Sequence, residues 1–206
     1  MSRICVITAD GRSYYAIVSR LRSAGLSFLS LLPDEDPEGC SLVITTKKEA
    51  ALFETPTVSL EELDESPDVA RGQILSRLTE GGQTMIVGID PGLRIGTAAF
   101  LGETRVASRT FNSRKGAVSW VASLLGKVPS RRLLVRVGDG EPKTAMWLAD
   151  SVASLVPGAA IEIVDESGTS RSGDARGLRK DQGAAARIAF RKGVAFRKPD
   201  PASRNR

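Results

Sequence analysis

The five residues Met85-Ile86-Val87-Gly88-Ile89 contain no charge and stop at Asp90. A run this short and this apolar suits a strand buried on both faces, and such a strand requires helices on each side of its sheet. The downstream sequence supplies them. Asp90 leads through Pro91-Gly92-Leu93-Arg94-Ile95-Gly96 to the apolar segment Thr97 to Leu101, and a turn at Gly102-Glu103 leads to Arg105 to Phe111. These three segments read as a meander joined by short connections. Ala117, Trp120, Val121, Leu124 and Leu125 then recur at helical spacing. A fourth strand over Arg132 to Val137, a helix over Ala145 to Val156, a fifth strand over Ala160 to Val164 and a helix over Gln182 to Lys192 complete the order βββαβαβα.

A second pattern precedes this one. Arg3 to Ala9 reads as a short strand, followed after Asp10-Gly11 by Tyr14, Ile17, Val18, Leu21 and Leu26 on one helical face, with Ser13 placed as the cap. Leu26 to Leu32, Ser41 to Thr45 and Thr57 to Leu60 read as further strands, and Pro67 to Leu78 as a helix with proline in its first turn. Glu80-Gly81-Gly82-Gln83 is the natural boundary. The expected fold class is therefore α/β in both parts, with a small acidic accessory domain over 1–82, a larger domain over 83–195 and a basic flexible tail over 196–206. No nucleotide-binding glycine fingerprint follows the first strand, and dimerisation, partner docking and shielding of the basic half all suit the accessory domain.

Charge divides at the same boundary. Residues 1–82 hold 8 Lys and Arg against 13 Asp and Glu, a balance of −5, whereas the remainder balances at +10. Residues 171–206 alone carry 11 basic and 3 acidic side chains. Such a concentration is the electrostatic footprint of a polyanionic partner.

Composition removes several chemistries. The chain has no histidine, which excludes Ser-His-Asp hydrolysis and histidine-ligated zinc. Its two cysteines, Cys5 and Cys40, are too few for a zinc site and are expected to be buried thiols in a cytoplasmic protein. No apolar run is long enough to span a membrane, and Met1-Ser2-Arg3-Ile4 enters a strand-like segment directly, so no membrane partner is expected. Any catalysis falls to carboxylates with a hard metal ion.

The carboxylates fall at strand ends. Asp90 ends the first strand of the larger part; Asp139 and Glu141 follow the fourth; Asp165 and Glu166 end the fifth; Asp181 opens the last helix. If the first, fourth and fifth strands are neighbours, these groups share one sheet edge, where a cation such as Mg²⁺ or Mn²⁺ would relieve their repulsion. Gly88 to Gly96 resembles the first-strand motif of RuvC-type junction resolvases and their YqgF-type relatives. Val164-Asp165-Glu166-Ser167-Gly168-Thr169-Ser170 and Asp181-Gln182-Gly183-Ala184-Ala185 resemble the later motifs of that family. The sequence departs from them at Arg136 on the fourth strand, at Ser167, and at Leu178 three residues before Asp181.

That resemblance, over about residues 84–193, implies an RNase H-like mixed five-stranded sheet with flanking helices. It implies a metal-dependent endonuclease acting on branched DNA or structured RNA, with a homodimer for junction cleavage. Asp90, Glu166, Asp181 and Asp139 would be the catalytic and metal-holding residues of a two-metal site. Arg94, Arg171, Arg176, Arg179 and Lys180 would contact phosphates. A catalytically silent nucleic-acid-binding protein and a small actin-like nucleotide-binding module are the alternatives. Trp120 and Trp147 lie on helical patterns among apolar neighbours and are expected in the core.

Overall fold

The computed structural model describes residues 3–79, 82–166 and 180–197. Two compact units form: Met1–Gln83 together with Lys127–Ser130, and Thr84–Gly126 together with Arg131–Arg206.

The first unit is built on a parallel sheet. Strands β1 (Ile4–Val6), β2 (Leu29–Ser30), β3 (Leu42–Thr45) and β4 (Thr57–Ser59) lie in the order β2-β1-β3-β4. Helix α1 (Gly11–Ser23) connects β1 to β2, a 3₁₀ turn (Ala50–Leu52) lies between β3 and β4, and helix α2 (Pro67–Leu78) follows β4. Ile4, Val6, Leu42, Ile44 and Val58 from the strands meet Ile17 and Leu21 of α1 and Ile74 of α2 in one buried cluster. Alternation along each strand selects this set, and the helical period puts Ile17 and Leu21 on a shared face. The cap of α1 is Asp10 rather than Ser13: its carboxylate accepts the N–H groups of Arg12 and Ser13, and the Ser13 hydroxyl donates to it. An aspartate placed directly before the first turn has both oxygens free for those unpaired donors.

Two further expectations are corrected here. The apolar run Leu26 to Leu32 forms a strand only at Leu29–Ser30, whose side chains are exposed at the sheet edge. The Leu32 N–H turns away to the Glu35 carboxylate at 2.6 Å, which stops the ladder. Cys5 and Cys40 form a disulfide, with Cα atoms 5.9 Å apart. The pairing of Ile4 with Leu42 and of Cys5 with Val43 lays the start of β3 along β1, and this brings Cys40 within bonding reach.

The second unit is a mixed sheet of six strands in the order β10-β9-β8-β5-β6-β7. Strands β5 (Thr84–Asp90), β6 (Ile95–Leu101) and β7 (Thr104–Phe111) are antiparallel neighbours, while β8 (Arg132–Gly138) and β9 (Ala160–Val164) run parallel to β5. The sixth strand, β10 (Val194–Ala195), pairs antiparallel with β9; two residues bounded by Gly193 and Phe196 carry too little periodicity to be read in advance. The unit is α/β, with helices α3 (Arg114–Lys127), α4 (Pro142–Leu155) and α5 (Lys180–Phe190) flanking the sheet.

Helix α5 settles on β5 and β6 because Gly88 leaves room for it. A Cβ on Gly88 would collide with the backbone of Ala185 and Ala189. Ala98, Phe100, Ala185 and Ala189 form the apolar contact at that crossing. The next residues along the central strands, Val87, Ile89, Val135 and Val137, are fully buried and by alternation face the other side. Arg136 lies opposite Gly88 and donates to Glu162 on β9 at 2.8 Å and to the Ala189 carbonyl at 2.8 Å. Trp147 is 37 % exposed, correcting its assignment to the core: the guanidinium of Arg114 lies 5.3 Å from its ring centroid. Trp120 is half-buried against Phe111. Among the described residues, no helix is long and apolar enough to cross a membrane.

Candidate functional site: a crevice at the carboxyl ends of the first sheet

In the first unit the chain leaves β1 toward β2 on one side, and β3 lies on the other. Sheets of this kind bind ligands at the carboxyl ends of the strands where the winding reverses, here between β1 and β3. A crevice of roughly 550 Å³ opens there, lined by Ala9, Asp10, Ser13, Thr46, Lys48, Glu49 and Glu61.

Glu49 organises it. Its carboxylate accepts the hydroxyls of Thr8 at 2.7 Å, Thr46 at 2.5 Å and Thr45 at 3.2 Å, and the Ala9 N–H at 2.8 Å. One side chain thus ties the segment after β1 to the end of β3. Burial disfavours its charge, but the donors from Thr46, Thr8, Ala9 and Thr45 outweigh that cost and lower its pKa from 4.5 to about 2. Asp10 is likewise lowered, first by the Ser13 hydroxyl and then by the Arg12 N–H. Glu61 accepts the Lys47 N–H at 3.0 Å. The crevice therefore presents ionised carboxylates, hydroxyls and Lys48, without imidazole or a free thiol. This is a surface for polar recognition, and its two best-placed carboxylates are already spent on holding backbone.

Reading by sequence missed this site. The available signal was a threonine just past β1, a threonine pair at the end of β3, and a glutamate three and four residues beyond that pair.

The residues singled out by sequence occupy the second unit. Asp90 ends β5, paired in register with Gly96; Asp139 directly follows β8; Glu166 lies just beyond β9. The structure joins the latter two: the Glu166 N–H donates to Asp139 Oδ1 at 2.9 Å, and the Gly140 N–H donates to Glu166 Oε1 at 3.1 Å. Gly138 lets the Glu166 carboxylate press against the end of β8, a space any Cβ would fill. Beside Glu166 is a cavity of only about 20 Å³, bordered by Arg187 of α5 and by Arg191, the residue just after that helix. Asp181 is the second residue of α5, and Lys180 the first. Arg94 is exposed in the loop between β5 and β6. Arg171, Arg176 and Arg179 lie outside the described residues, as does the proposed tail from 198 onward. Among the described residues, no group of three or more Asp, Glu, Cys or His is placed to hold a metal ion.

Residues 3–76, under half of the chain, match a family described as response regulator receiver-like domain. No curated protein matches the chain. The family finding overturns the RuvC/YqgF reading and, with it, the metal-dependent nuclease and its silent-binding and actin-like alternatives. The likeness had rested on short Asp and Gly patterns at strand ends, and such residues commonly mark the turns that follow strands. In this chain Asp139 and Glu166 serve each other and the Gly140 N–H, and Arg136 on β8 is neutralised by Glu162.

Proposed function

We propose that this is a signalling protein whose first unit is a receiver-like input module, and that the module works by binding at the switch-point crevice rather than by taking a phosphoryl group on a carboxylate. The observation that carries this reading is the four-donor clamp on Glu49, within a segment matching the receiver-like family. Three of the four donors converge on Oε2 and the Ala9 N–H reaches Oε1, and a carboxylate whose oxygens accept this many donors is a weaker nucleophile, just as it is a weaker base. Asp10 is similarly engaged at the start of α1. What the arrangement supplies is a preformed crevice, already ordered before a ligand arrives, so that binding costs little reorganisation.

The test uses the full chain. Incubation with acetyl phosphate and Mg²⁺, followed by intact mass measurement, is expected to leave the mass unchanged. A stable phosphoryl adduct on Asp10, Glu49 or Glu61 would overturn the reading. In parallel, amide exchange should show the Ala9 N–H protected in the native chain and unprotected in Glu49→Ala. An Ala9 amide that exchanges equally in both would remove the preformed crevice on which the reading stands.

A further inference from the structure

The 3₁₀ turn that follows Glu49 forms one wall of a second depression, separate from the crevice. This groove, roughly 440 Å³ in volume, runs between the loop after β2 and the segment leading into β4. Its apolar surface comes from Leu52, Phe53, Pro33 and Pro37. Leu52 is 77 % exposed, and Leu32, at the start of the same loop, is 63 % exposed. A leucine so open to water on the wall of a groove, beside Phe53 and two prolines, is apolar surface that folding has left uncovered.

Charge states what would cover it. Asp34, Glu35, Asp36 and Glu54 also line the groove, and none of its nine lining residues is basic. Glu35 is partly spent on the Leu32 N–H, which shapes the loop, but its charge remains. The groove is too large for a bare cation, and this concentration of carboxylates would repel a sugar phosphate or a nucleotide. An extended or helical segment carrying leucine-type anchors between Lys and Arg residues satisfies both features: the anchors cover Leu52 and Phe53 while the cations meet the acidic rim.

We infer that this groove is a docking site for a basic, leucine-containing segment of a partner protein. The inference rests on the signalling reading only in taking the occupant to be a protein. The groove and the crevice share one element: Glu49 anchors the N-terminal end of the turn Ala50–Leu52, so the clamp also sets the position of the Leu52 wall.

The experiment is fluorescence anisotropy of the full chain with a labelled synthetic peptide in which two leucines are set among Lys and Arg, compared with a peptide of equal charge lacking leucine. Saturable binding to the leucine peptide is expected. It should weaken on adding salt and fall about tenfold or more in Leu52→Ser and in Glu54→Lys. Both positions are exposed, and unchanged thermal melting of the two variants would establish that they fold. Equal binding of the leucine-free peptide would reduce the effect to bulk charge and overturn the inference. So would affinity unchanged in both variants, or a dimer of the chain lost in Leu52→Ser without any peptide binding, which would assign the groove to a second copy. None of these outcomes bears on the phosphoryl-transfer test, so the two readings fail separately.

Discussion

Glu49 shows how a single side chain determines what a sheet edge can do. Its partners come from the ends of two strands far apart in sequence, and every one is a donor, so the ionised form is favoured and the strand ends are held together. Because its pKa is lower in the folded chain than the unfolded value of 4.5, its contribution is fully present above that pH and is lost as pH falls toward about 2. Replacement by alanine is expected to cost about 2 kcal/mol at neutral pH, allowing for solvent screening at the crevice mouth. The difference between native and variant stability should shrink as the pH is lowered from 4.5 toward 2, as read by urea denaturation across a pH series. A constant difference over that range would mean that the charge contributes nothing and that packing alone is lost. Glu49 was not legible in the sequence because the periodicity of residues 46 to 56 points to no element, and a glutamate in a turn looks the same whether or not donors surround it. Cys5 and Cys40 were misread for a related reason: a separation of 35 residues does not reveal that β1 and β3 lie side by side.

Among the elements, β5 and α5 depend on each other. Gly88 is the contact point, and its missing side chain admits the helix backbone. The Arg136–Glu162 pair fastens the C-terminal end of α5 through the Ala189 carbonyl, and Gly193 continues the same network by donating its N–H to Glu162 at 3.1 Å. Burial opposes the charge on Glu162, but Arg136 and then the Gly193 N–H lower its pKa below the ordinary value. Gly88→Ala should therefore act as an overpacking substitution, destabilising the chain by about 3 kcal/mol with the urea m-value unchanged. A loss under about half a kcal/mol would show that α5 moves away from β5 at little cost. The strands themselves were legible from their apolar runs, and Pro67 and Leu78 bound α2 as the pattern placed them. The short elements were not: β10 pairs at only two residues, and its strand character comes from β9 rather than from its own composition.

At the scale of the whole molecule, the two units solve the burial problem differently. The first is a four-stranded parallel sheet over a large apolar cluster, and its Cys5–Cys40 bond closes a long loop containing α1, β2 and the acidic turn. By the loop-entropy relation, a bridge over 35 residues restricts the unfolded chain by about 3 to 4 kcal/mol. Melting the full chain with and without a thiol reductant, beside a Cys40→Ser variant, is expected to give a lower midpoint for both the reduced chain and the variant. An unchanged midpoint would mean that the bridge adds nothing to the folded state. The second unit holds a wider mixed sheet and buries β6 along its whole length.

The sequence by itself determined the α/β class, the succession of strands and helices within each part, and the inversion of charge along the chain. All three are carried by residues close together in sequence, where period and composition act directly. The tertiary structure alone decided which strand ends became neighbours. That decision created the Glu49 clamp, the disulfide, the Asp139–Glu166 contact and the acidic groove with its open Leu52. Each depends on donors, acceptors or apolar atoms contributed by distant segments, and strand order, invisible to any local pattern, sets the distances between them.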